Sequence, residues 1–157
     1  MTSTMKCIIT AIVGTLILGL LMVVALAAPK IYPGPYEATV VRVVDADTAV
    51  LAVDLWPGQV VTVSVRLNTI DTPETFRPQC DAEKALAKQA SDYVRQLLPV
   101  GHPVRLQDIF TGKFAGRVVG TIVIDTATGT DTIARALVRR NFARPYFGKG
   151  PRPDWCE

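Results

Sequence analysis

Residues 60–67 alternate without a break. Val61, Val63, Val65 and Leu67 take one face, and Val60, Thr62, Ser64 and Arg66 take the other. A period of two belongs to a β-strand with one buried face, so the Arg66 guanidinium leaves opposite the larger apolar set. The strand runs into a turn, and residues 65–75 read VRLNTIDTPET. Pro73 stiffens that turn and holds Asp71 and Glu74 in one small volume. Two hard oxygen ligands so close together suit a divalent cation. The plainer alternative is a surface turn with solvated charges, because D-T-P-E is short enough to arise by chance.

The neighbouring segments say what that strand pairs with. Trp56-Pro57-Gly58-Gln59 carries proline second and glycine third, as a type II turn prefers, and predicts a hairpin joining a strand over Thr48–Leu55 to one over Val60–Asn68. An earlier strand over Tyr36–Val44 leads into Asp45-Ala46-Asp47-Thr48. The hairpin therefore brings the Asp45 and Asp47 end of one strand to the Arg66 and Asp71 end of the next. From Asp81, read as an N-cap, Ala82, Ala85, Leu86, Ala90, Tyr93, Val94 and Leu97 form one apolar stripe at helical spacing, ending at Pro99. Strands follow over Pro103–Phe110 and Arg117–Ile124. A second helix is expected from about Asp131 to Arg140, with Ile133 and Leu137 inward and Asn141 as a left-handed cap. Five strands with a helix between the third and fourth predict a mainly β, α+β domain: a five-stranded Greek-key barrel of the OB type with two flanking helices.

The 157 residues divide into an appendage and one domain. Residues 8–28 lack charge and would span roughly 31 Å as a helix, enough to cross a bilayer. Lys6 precedes them, and Ala25-Leu26-Ala27 offers a small-residue exit just before Pro29. Residues 1–28 thus read as a transmembrane anchor or as a signal peptide cleaved after about Ala27; a buried core helix is the remaining alternative. Either of the first two puts the domain outside the cytoplasm, tethered to the membrane or secreted. Residues 29–35 read as a linker, 36–147 as the domain and 148–157 as a tail. Setting Lys6 aside leaves 16 basic against 14 acidic residues, a net of +2 that is too mild to imply nucleic acid. Its distribution says more, since Arg135, Arg139, Arg140, Arg144, Lys149 and Arg152 fall in a stretch without acids. That block reads either as a solvated face and tail or as cover for phosphates. Cys80 and Cys156 are the two thiols beyond the apolar segment; an oxidising compartment would join them, and free thiols are the alternative.

His102, the sole histidine, lies in a Gly-His-Pro connection. Phosphodiester chemistry that relies on two histidines is excluded. Hydrolysis by a metal and carboxylates needs a cation on the phosphate, a base for water and cationic donors for developing charge. Asp47 and Asp71 can hold the cation, Glu74 can be the base, and Arg66 and Arg117 can be the donors, arginine being suited by its planar fork.

Taken together, VVDADT, VRLNTIDTPET, the alanine-rich helix, AGRVVGTI and ALVRRNFARPY resemble, in order and over about Ala38–Pro145, the staphylococcal (micrococcal, thermonuclease) nuclease family. The resemblance implies an OB barrel with flanking helices that hydrolyses DNA and RNA using calcium, Ca2+; the chain is expected to be a monomer. It places the calcium carboxylates on Asp47 and Asp71, with Thr72 contributing its backbone carbonyl. It also places the water-activating glutamate on Glu74 and the phosphate-binding arginines on Arg66 and Arg117. Three departures stand out. Ala46 replaces a customary glycine, Lys113 and Ala115 replace an acidic residue and a tyrosine before Gly116-Arg117, and the long final helix is absent or reduced to the tail GKGPRPDWCE. A Cys80–Cys156 bond could fasten that tail beside the active-site turn. Tyr146 and Phe147 are candidates for stacking on bases, with core packing as the alternative. The rival reading from another class is a non-catalytic OB module that binds nucleic acid or a protein partner at the membrane. A weaker one is a surface protein for adhesion or assembly.

Overall fold

The computed structural model describes residues 30–156. Residues 8–28, with the anchor-or-signal reading, lie outside them. Among the described residues no helix is long and apolar enough to cross a membrane.

Strands β1 (Tyr36–Val43), β2 (Thr48–Trp56) and β3 (Gln59–Leu67) form an antiparallel meander. Gly58 has φ 79, the left-handed value that the third position of a type II turn requires. A two-residue strand β4 (Ile70–Asp71) and helix α1 (Asp81–Leu97) come next, then β5 (Pro103–Thr111) and β6 (Arg117–Thr126). The sheet runs β3-β2-β1-β5-β6, and β6 then pairs in parallel with β3, closing a five-stranded barrel. This is the OB-type α+β fold expected from the strand count. Three short elements escape the periodicity: β4, β7 (Gly129–Thr132), which hangs on β6, and β8 (Arg144–Pro145), which pairs with β4. Strands of two to four residues are too brief to show alternation.

The barrel is filled by Val40, Leu51, Val65, Leu106 and Ile122, all essentially without solvent contact. Leu98, Ile133 and Leu137 extend that core beneath the helices. Helix α2 (Ile133–Arg139) is capped by Thr132, and Asn141 turns the chain away at φ 58, as the left-handed cap requires. The residues read as a linker are docked: Tyr32 and Ile109 exchange two backbone hydrogen bonds of 2.8 Å.

Helix α1 keeps most of the expected face, with Ala90 and Val94 buried and Tyr93 and Leu97 packed against the core, and corrects its first turns. Cys80, not Asp81, is its N-cap, with Sγ accepting from the Glu83 N–H at 3.4 Å. Ala82 and Ala85 are exposed, and the buried line is Glu83, Ala87, Ala90, Ser91 and Val94. A polar residue turned inward displaces the stripe in those first turns. Glu83 is buried because its carboxylate accepts the backbone N–H of Glu74 at 2.9 Å and of Gln79 at 2.6 Å. The basic block also resolves into separate roles. Arg135 and Arg139 bind Asp131, Arg140 lies over Tyr93, Arg144 over Trp155, and Arg152 reaches a cleft described below.

Cys80 and Cys156 form a disulfide with Cα atoms 6.0 Å apart, closing a sequence separation of 76 residues. Alkylation and mass mapping of unreduced protein should find neither thiol free. Replacing both by serine is expected to cost about 4 kcal/mol in the chain-entropy account, measured by urea unfolding. Asp131 supplies a second test. The Arg139 hydrogen bond, against the opposing effect of burial, holds its carboxyl below the usual range, helped by the Thr132 N–H. A lowered folded value contributes stability above the unfolded value of about 3.9, lost as pH falls through the folded one. Asp131→Asn should therefore lower Tm at pH 7, with the difference closing in strong acid.

Candidate active site

Both edges of β3 serve one cleft. On the first edge, Thr48 stands opposite Arg66, and the Leu67 N–H donates to the Asp47 carbonyl at 2.7 Å. On the second edge, Arg117 stands opposite Ser64. Thr69 then takes φ 65, a left-handed conformation that costs a residue with a β-carbon about 1 kcal/mol or more. It reverses the chain into β4, where Asp71 pairs with Arg144. The resulting cleft, of about 430 Å3, is lined among others by Asp45, Asp47, Arg66, Thr72, Glu74 and Arg117.

Arg66 joins the two aspartates. Its Nη1 is ion-paired with Asp47 Oδ2, and its Nη2 lies 3.7 Å from Asp71 Oδ1. Asp47 is further bound by the Thr48 hydroxyl at 2.7 Å and the Thr72 hydroxyl at 3.3 Å. Asp71 is buried, with Oδ2 accepting from the Trp155 indole N–H at 3.3 Å and Oδ1 making no hydrogen bond. Glu74 is partly open to solvent; its Oε1 accepts the Phe76 N–H at 3.2 Å. Arg117 presents its guanidinium over the Phe114 ring, 4.7 Å from the centroid, and its buried Nε has no partner.

Two carboxyls at this cleft are held above their usual range, chiefly by burial. Burial, then the Asp47 carboxylate, pushes Asp45 up to about 6. Burial likewise raises Asp71, against the Trp155 hydrogen bond and the charges of Arg152 and Arg66. Both shifts are of the kind that an added cation reverses, since an opposite charge favours the ionised form. The donors are hard oxygens, and Asp71 Oδ1 is an orphaned buried acceptor. Asp47 and Asp71 therefore fit a cation such as calcium that completes its shell with backbone carbonyls and water. They are an open set: among the described residues no three acidic, histidine or cysteine side chains gather into a metal cluster.

Residues 64–154 match the family profile described as "Staphylococcal nuclease homologue", over more than half of the chain. The chain belongs to the staphylococcal nuclease family. It is similar to endonuclease YhcR of Bacillus subtilis (strain 168), with 30% identity over 125 residues. That match covers 76% of this chain and 10% of YhcR, so the chain spans about a tenth of its relative's length.

The structure brings Asp47, Arg66, Thr72, Glu74 and Arg117 to the cleft wall, with Asp71 buried behind it. Tyr146 stands elsewhere: it does not line the cleft, and its hydroxyl donates to the Gly150 carbonyl at 3.2 Å. Phe76 and Phe114 are the aromatics that do line it. Three contributors escaped the sequence. Arg152 lies 3.5 Å from Asp71 and 3.8 Å from Glu74, Trp155 binds Asp71, and Glu83 holds the Glu74 backbone. The adjacency of Arg152 and Trp155 to Cys156 was the available signal. Glu83 can be tested through stability: Glu83→Ala leaves two part-buried N–H groups unpaired and should cost about 2–4 kcal/mol in urea unfolding, whereas Glu83→Gln, which keeps one acceptor, should cost less.

Proposed function

We propose that this chain is a calcium-dependent nuclease that hydrolyses phosphodiester bonds of DNA, RNA or both outside the cytoplasm. One observation carries the reading: Arg66, Arg117 and Glu74 share one cleft with Asp47, and Arg66 links Asp47 to Asp71 buried behind the cleft wall. Membership of the nuclease family supports it. So does the similarity to YhcR, an endonuclease by name, of which a tenth is matched. The uncharged stretch 8–28 and the disulfide support an exported domain, held at the membrane if the stretch is retained. A monomer suffices, because one chain supplies every group named.

Asp47, Asp71 and the Thr72 carbonyl would hold the calcium. When bound, it supplies positive charge that polarises the phosphoryl oxygens and lowers the cost of delivering water. The remaining work falls to the protein's side chains. Glu74 is exposed enough to meet water and is held at its own backbone by Glu83, so it can accept a proton from the attacking water molecule. Arg66 is fixed by Asp47 and can aim its planar fork at a non-bridging phosphate oxygen. Arg117 has an unpartnered buried Nε and offers a second set of donors for the charge that develops there.

The purified full chain should cleave single-stranded DNA and RNA with calcium and lose that activity with chelator. Glu74→Gln is expected to lower kcat by about 10²- to 10⁴-fold, and Arg117→Ala by about 10²- to 10³-fold. Absence of calcium-dependent cleavage, or equal rates for Glu74→Gln, would favour the rival reading of a barrel that binds without cutting.

A further inference from the structure

The tail from Gly148 to Cys156 is exposed along most of its length, and Trp155 is its one buried residue. A tail of this composition, rich in glycine and proline, has little reason to order on its own. Trp155 has three holds. Cys156, next in the chain, is bonded to Cys80. The Arg144 guanidinium covers the indole at 4.6 Å, while Arg144 Nη1 donates to the Asp154 carbonyl at 2.7 Å. The indole N–H, a donor only, meets Asp71 Oδ2 at 3.3 Å. Asp71 itself is clamped through its backbone by the pairing of β4 with β8, to which Arg144 belongs.

Two carboxylate oxygens are thus treated differently. Oδ2 is occupied by the indole, and Oδ1 is left without a hydrogen bond, facing the guanidinium groups of Arg66 and Arg152. A ligating carboxylate whose second oxygen is tied by a fixed donor cannot rotate freely, so its free oxygen is presented in one direction. The same disulfide also begins at Cys80, the N-cap of α1, three residues before the Glu83 that holds the Glu74 backbone.

We propose that Trp155, locked in place by the Cys80–Cys156 disulfide, is a positioning residue for Asp71, so that full calcium affinity and turnover require the oxidised tail. The assignment rests on the nuclease reading above and adds to it a group that touches neither substrate nor metal. Reduction would release it: a dithiol delivers two electrons to the S–S bond, each sulfur takes a proton, and the reductant leaves as its own disulfide. Trp155 would then be held only by Arg144 and the single hydrogen bond.

The test compares the full chain with Trp155→Phe, which keeps an aromatic ring and removes the N–H. Loss of such an outer-shell partner is expected to weaken calcium binding, measured by titration calorimetry, by about 10- to 100-fold. It should lower kcat by a similar factor, leave KM for an oligonucleotide within about twofold, and leave the circular dichroism spectrum unchanged. In a Trp56→Phe background Trp155 is the sole tryptophan, since the chain has two; Trp56 is 75% exposed on the β2–β3 turn. Its emission should change saturably as calcium is added. If Trp155→Phe fails to fold, dithiothreitol on the native chain decides instead: calcium affinity should fall and return on reoxidation, with the barrel's dichroism retained. Normal calcium affinity in folded Trp155→Phe, or in folded reduced protein, overturns the assignment while wild-type cleavage still stands. A wild-type chain that neither binds calcium nor cleaves overturns the nuclease reading, and this assignment with it.

Discussion

Hydrogen bonding on both edges of β3 fixes what meets in the cleft. One edge sets Thr48, and hence Asp47, beside Arg66; the other sets Arg117 beside Ser64. Side chains alternate with a period of two, so a slip of one residue on either edge would turn an arginine out of the cleft and an apolar side chain into it. Val65 and Leu67 bar that slip, because both are fully packed in the barrel. The apolar half of the strand thereby holds its polar half in register. Closing the sheet also removes both free edges of the barrel, which an open five-stranded sheet would have left available for pairing with other chains.

Much of this is legible in the sequence. Alternation along residues 60–67, the proline-glycine turn at Trp56–Gln59 and the breaks between later apolar runs were enough for five strands, since each is a local property. Asn141 was readable as a cap for the same reason, and it sits at φ 58. The later turns of α1 were legible too, with Ala90 and Val94 inward, but its first turns were not. Spacing alone favoured Ala82 and Ala85, but the carboxylate of Glu83 had backbone donors at Glu74 and Gln79 to satisfy, and hydrogen bonding of a buried charge outweighs burial of two methyl groups. Nothing in the helical pattern encodes a partner in the preceding loop.

The site divides along the same line. Asp47, Arg66, Asp71, Glu74 and Arg117 were readable as neighbours because strand order brings their segments together. Trp155 and Arg152 act across 84 and 81 residues of sequence respectively. They come from a tail without secondary structure beyond β8, where neither periodicity nor turn chemistry applies. Tyr146 lies outside the cleft lining, with its hydroxyl donating to the Gly150 carbonyl.

The disulfide also changes what a cut in the tail can do. Lys149 and Gly150 are exposed, in a stretch of the sort that proteases enter readily. In most domains, hydrolysis there would shed the terminal segment and every contact it makes. Here the fragment carrying Trp155 would stay attached as a second chain through Cys156, its indole still beside Asp71. Connectivity along the backbone and connectivity of the site are separate properties of this molecule, so a nicked, two-chain form can keep the geometry of the intact one.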